Sequence, residues 1–133
     1  LCPSDPYMIM RYATLLIFLG KPEEALVEIT NAKRIDPFCS DMLFEDEGMC
    51  YFWLDRLPEA VDTFNKLQIP TRNSLFYLAA THNKIGDIDK ASRVLKEAIA
   101  MSNLNIEEFV KIQKYRDPDQ KENLLNTLSL IAA

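Results

Sequence analysis

Residues able to do chemistry are few in this chain, and their spacing argues against a reaction centre. The lone histidine, His82, occupies the position held by Leu16 and Tyr51 in two parallel stretches. It therefore reads as a packed or hydrogen-bonded side chain rather than a catalyst or ligand. The three cysteines, Cys2, Cys39 and Cys50, form no C-x-x-C pair, and one histidine with scattered thiols cannot supply the roughly four ligands zinc needs. Cys39 and Cys50 stand on or near one helix, about 16 Å apart at about 1.5 Å of rise per residue. That is far beyond disulfide reach, so free thiols are expected. The acidic run Glu45-Asp46-Glu47 could be taken for paired carboxylates. Adjacent helical residues diverge by about 100°, however, and a solvated helix face is the expectation. None of the motifs G-x-S-x-G, G-x-x-x-x-G-K or G-x-G-x-x-G occurs, and three glycines in all leave little for a phosphate-cradling loop. No enzyme, no cofactor and no metal is expected.

Composition sets the broad class. The 133 residues, 48% hydrophobic and 26% charged, fit one globular domain with enough apolar material for a core. Apolar runs such as "ATLLIFLG" stop short of the roughly 18 residues a membrane span needs, so no membrane is expected. A formal net charge of −5 disfavours a nucleic-acid partner, which would call for clustered Lys and Arg. An odd cysteine count with no signal-peptide pattern suits a reducing compartment, and the chain reads as cytoplasmic.

The elements that position these residues repeat. "LGKPEEALVEITNAKRIDP" from Leu19 returns as "LDRLPEAVDTFNKLQIP" from Leu54 and "IGDIDKASRVLKEAIAMSN" from Ile85. Registered on Ala25, Ala60 and Ala91, the spacings are 35 and 31 residues, close to the roughly 34-residue period of a helix-turn-helix repeat. A turn precedes each alanine: Gly20-Lys21-Pro22, Asp55-Arg56-Leu57-Pro58 and Gly86-Asp87. The first helices of the pairs are predicted over about 6–19, 40–54 and 72–84, and the second over about 22–35, 57–68 and 87–101. Small residues recur where two helices must approach closely: Ala13, Gly48 and Ala79 in the first helices and Ala25, Ala60 and Ala91 in the second. Ile29, Phe64 and Leu95, four residues on, supply the bulk beside them.

At these positions the chain resembles the tetratricopeptide repeat (TPR) family over about 100 residues. Repeat 2 departs from the pattern, with Asp55 where Gly is usual, Glu47 where Leu is usual and Leu67 where Ala32 and Ala98 sit in its neighbours. Pro70 is expected to cut its second helix short. The resemblance implies an all-α fold, an α-solenoid of three TPR-like helical hairpins with a C-terminal capping helix pair. The domain divides as repeat 1 at 6–38, repeat 2 at 39–70, repeat 3 at 71–103 and a capping segment at 104–133. Residues 1–5 read as the tail of a preceding repeat, since Leu1 and Pro3 stand 34 residues before Ile35 and Pro37. Within the capping segment, a short helix over about 106–115 and a last helix striped with Leu124, Leu125, Leu128 and Ile131 flank a Tyr115-Arg116-Asp117-Pro118 turn. Together with Glu107-Glu108-Phe109, these residues are similar to the end of repeat regions attached to bacterial class III adenylate cyclases and related regulators. The Ser129-Leu130-Ile131-Ala132-Ala133 terminus departs from that family's basic, Gly-containing tail.

In that family the first helices line a concave groove. Carried over, the groove residues are Tyr7, Met10, Thr14 and Ile17, then Met42, Glu45, Met49, Phe52 and Trp53, then Asn73, Phe76 and Asn83. Burial against the neighbouring hairpin is the alternative for Phe52 and Trp53. One branch of the family holds C-terminal carboxylates in a Lys and Asn clamp, but Met10, Thr14, Asp46, Asn73 and Tyr77 stand at those places here. The implied function is a non-catalytic protein-protein interaction module, a scaffold in signalling. Its partner would be a protein or peptide segment, including one from its own full-length chain. The alternative is a structural element for self-association as a homodimer.

Overall fold

The computed structural model describes residues 6–132, without the side chains of residue 6 and of residues 39–42. The segment 1–5 with Cys2, and the side chains of Cys39 and Met42, lie outside the described residues. Eight α-helices follow one another: α1 (Pro6–Phe18), α2 (Pro22–Ile35), α3 (Ser40–Trp53), α4 (Leu57–Asn65), α5 (Arg72–Ile85), α6 (Ile88–Ser102), α7 (Ile106–Ile112) and α8 (Pro118–Ala132), with one 3₁₀ turn at Pro37–Cys39. The chain is all-α, with no strand among the described residues.

The connections follow from the turn residues. Gly20 at φ 79°, Asp55 at φ 61° and Gly86 at φ 100° each take the left-handed conformation that ends the first helix of a pair. Aspartate tolerates that region better than most side chains, so repeat 2 manages without a glycine. Pro22 and Pro58 then sit in the first turns of α2 and α4, where a missing N–H costs nothing. Thr71 and Asn105 cap α5 and α7 through reciprocal capping boxes with Ser74 and Glu108.

Each helix packs most densely on its pair mate, α1 with α2, α3 with α4 and α5 with α6, and α1, α3 and α5 also touch in succession. α5 is central: every residue from Ser74 to His82 is buried. Ala13, Ala25, Ala60, Ala79 and Ala91 are wholly enclosed, as the close approaches require. Overpacking such a site costs about 1–3 kcal/mol, so Ala91→Leu should lower stability by that much in urea unfolding. Lys90→Ala, which removes only an exposed pairing with Asp87, should cost well under about 1 kcal/mol.

Two helices are shorter than their patterns suggest. α4 ends at Asn65, with the Lys66 N–H turned back to Thr63 O and Phe64 O, well ahead of Pro70. α7 ends at Ile112 because Gln113 turns extended, at φ −72° and ψ 135°. That turn sends the chain back across the face formed by α1, α3 and α5, and α8 then packs on α5, α6 and α7.

Candidate binding cleft between the first helices

The returning segment fills much of the inner face. The Tyr115 ring meets Phe18 of α1 edge-on at 4.8 Å and Trp53 of α3 at 5.2 Å. Its hydroxyl accepts the Trp53 Nε1–H at 2.7 Å and lies 2.6 Å from Tyr77 Oη, which in turn donates to Gln113 Oε1 at 2.9 Å. One direction satisfies every group: Trp53 to Tyr115 to Tyr77 to Gln113. Burial pushes both tyrosine hydroxyls above their ordinary range, so both stay neutral. The Arg116 N–H donates to Phe18 O at 2.9 Å, fastening the segment to the end of α1.

Several residues expected along the groove therefore lie inside the protein. Ile17, Phe52 and Phe76 are wholly buried, Phe76 stacking on Phe109 at 4.0 Å. Trp53 is half-buried through its bond to Tyr115, and Asn83 ties α5 to α8 through Thr127 O at 3.3 Å. Tyr7 is exposed. Met49 is buried as well, 1% exposed, whereas Met10, Thr14, Glu45 and Asn73 are partly exposed, and one cleft of about 350 Å³ gathers those four over Met49. Phe18, Asp46, Leu67 and Thr71 complete its walls. The resemblance pointed to Asp46 only as a clamp position and gave no sign of Phe18, Leu67 and Thr71, although Phe18 repeats the Met10–Thr14 spacing one turn on and Thr71 stands at a helix start.

The acidic run is not a solvated face. Asp46 is 5% and Glu47 6% exposed, because each has found a partner on an earlier helix. Glu47 pairs with Lys33 of α2 at 3.0 Å. Thr14 Oγ1 lies 2.7 Å from Asp46 Oδ2 and 2.8 Å from Met10 O. A hydroxyl has one hydrogen and cannot donate to both acceptors. A protonated Asp46 resolves the conflict, its O–H donating to Thr14 while Thr14 donates to Met10 O. Burial raises the Asp46 carboxyl to about 7, offset in part by the hydrogen bond Thr14 donates to its ionised form, with Glu45 adding a smaller rise. Beside it, Glu45 accepts hydrogen bonds from Thr71 Oγ1 and from Asn73 Nδ2, the latter at 3.4 Å. Asn73 Oδ1 is shut off from solvent with no hydrogen-bond partner among the described residues.

A second cleft of about 380 Å³ shares Thr14, Phe18 and Asn73 with the first and is bordered by Arg11, Arg72 and Lys114. A hollow of about 600 Å³ lies elsewhere, along α2 and the α3–α4 turn. None of its lining residues is buried, which makes it a shallow dish. His82 is buried in α5 and burial holds its pKa below the usual value. Cys50 is a free thiol enclosed beside Asp46 and Glu47, with burial first and the two carboxylates second raising it far from any reactive range. Among the described residues no three His, Cys, Asp or Glu side chains converge as a metal would need, and no helix is long and apolar enough to cross a membrane. The chain matches no family model, no curated protein and no solved structure.

Proposed function

We propose that the chain is a non-catalytic interaction module of tetratricopeptide type, three helical hairpins closed by α7 and α8. It holds a protein or peptide segment whose Lys or Arg side chain enters the cleft between α1, α3 and α5. One observation carries this reading: Glu45 and Asp46 of α3 and Asn73 of α5 bring two carboxyl groups and a carbonyl oxygen to a cleft walled by Met10 and Phe18 of α1 and by Met49 of α3. A donor-rich cation would take over the bonds that Thr71, Asn73 and Thr14 now make to these carboxyl groups, and the Met10 side chain adapts to the apolar stem behind it. The shared register of Gly20, Asp55 and Gly86 supports the repeat reading. The likeness of 107–128 to the ends of cyclase-linked repeat regions is the ground for seeing the module as the docking part of a larger signalling protein, cytoplasmic in location.

A cation beside Asp46 would draw off its proton, so binding and deprotonation are linked. With the carboxyl near 7, a ligand that needs it ionised gains about tenfold in affinity between pH 6 and pH 8. The test is an array of short peptides, each with one Lys or Arg between large apolar residues, beside a matched set with norleucine at the basic position. Retention favouring the basic set, stronger at the higher pH and lost in Glu45→Lys, is the expected result. Equal retention of both sets would remove the cleft from consideration.

A further inference from the structure

The chain is acidic as a whole, yet the charged residues lining its second cleft are all cations. This hollow of about 380 Å³ draws Arg11 from α1, Arg72 from the start of α5 and Lys114 from the segment that returns after α7, and no Asp or Glu lines it. All three residues are exposed, and none makes an ion pair among the described residues. In a chain with 20 acidic and 15 basic residues, three cations around one hollow without a counter-charge repel one another. An anion between them removes that cost.

Two of the cations stand on backbone that the fold already holds. Gln113 is buried and its carbonyl oxygen accepts from Tyr77 Oη at 2.9 Å, while the Arg116 N–H donates to Phe18 O. Lys114 is thus carried between two fastened residues. Arg72 follows directly on Thr71, the cap of α5. An anion meets this pair without first ordering the chain.

The two clefts share Thr14, Phe18 and Asn73, with the carboxyl groups of Glu45 and Asp46 in the first and the three cations in the second. No ion pair joins the two sets, so each cleft presents one sign of charge. We infer that the second cleft takes an Asp or Glu side chain of the same segment whose Lys or Arg enters the first. The inference rests on the proposed groove ligand and adds the other half of its charge pattern. An arginine offers a carboxylate two parallel N–H donors, and Lys114 adds a point charge. Leu15, Phe18 and Ile112 bed the methylene stem. A segment with its charges in the reverse order meets like charge in both clefts and is rejected.

The test extends the array of basic peptides, placing Glu, or Gln in its stead, about two to five residues to either side of the Lys or Arg. At one spacing Glu should strengthen binding about fivefold over Gln at low salt, and the gain should shrink as NaCl is raised. Arg72→Gln combined with Lys114→Gln should abolish the gain, hold the Gln peptides no more weakly than the parent does, and melt as the parent does. Arg93→Gln combined with Lys96→Gln, an equal change of charge at two exposed sites on α6, should keep the gain. Basic peptides preferred over norleucine ones, with Glu and Gln alike at every spacing, would overturn this inference and leave the first cleft standing. A Glu gain that survives the Arg72 and Lys114 changes would overturn it as well. A Glu gain lost in that variant, with no preference for the basic residue, would strike the proposed groove ligand alone.

Discussion

At pH 8, Asp46→Asn is expected to stabilise the fold by about 2–4 kcal/mol, the reverse of what removing a buried polar group usually does. In the folded chain the Asp46 carboxyl titrates at about 7, and in the unfolded chain near 3.8. Below about 3.8 both states carry the proton and no difference arises. As pH rises from there to about 7, the unfolded chain releases its proton while the folded chain keeps it, so stability is lost steadily across that window. Above it the loss is complete, about 4 kcal/mol at most. Asparagine mimics the protonated carboxyl, its N–H₂ donating to Thr14 as the acid O–H does. The groups facing Asp46 leave this assignment clean: Cys50, Tyr77 and Tyr115 are neutral, and Glu45 is the one other charge that raises it. Urea unfolding of parent and variant from pH 4 to pH 8 gives a difference that starts near zero and grows to a plateau. A difference constant across that range would mean that Asp46 is ionised throughout.

The second large effect sits two residues further along α3. A Cβ at Gly48 would stand 2.5 Å from Phe64 Cε1 and 2.7 Å from both Cδ1 and Cζ. Phe64 is 3% exposed and closes the α3–α4 hairpin, so its ring has nowhere to swing. Glycine to alanine inside a helix ordinarily gains about 1 kcal/mol. Here the clash should reverse the sign, and Gly48→Ala should lose about 2–3 kcal/mol net. Adding Phe64→Leu should make the alanine cheaper than it is in the parent, a coupling that a double-mutant cycle reads directly. A variant as stable as the parent would mean that α3 and α4 are farther apart than described.

Much of this was written locally. Helix starts and stops follow from Pro22, Pro58, Gly20 and Gly86, and the close approaches from small residues at one register, because turns and close approaches depend on near neighbours. The inner face was harder to read. Phe52 and Phe76 carry groove spacing, yet Phe52 meets Tyr77 of α5 edge-on and Phe76 stacks on Phe109, more than thirty residues later. The acidic run likewise looks like a solvated face until Lys33 and Thr14 are brought across a turn to meet Glu47 and Asp46. Helical periodicity says which residues share a side, not which side another segment will cover. Met10, Thr14, Glu45, Met49 and Asn73 were legible as neighbours because they follow the repeat, whereas the proton shared by Asp46 and Thr14 depends on a depth of burial that spacing does not encode.

The Tyr115 crossing also changes how the molecule comes apart. Hairpins that touch only their neighbours can fray from either end, each unit lost at its own small cost. Here Arg116 and Tyr115 hold Phe18 and Trp53, so the first hairpin is latched to the last across nearly the whole length of the chain. Opening α1 breaks contacts of the C-terminal segment, and releasing Tyr115 and Arg116 strips cover from Phe18 and Trp53. The latch closes a loop of close to a hundred residues, a late and entropically costly step in folding. Once closed, it binds the array into one cooperative unit.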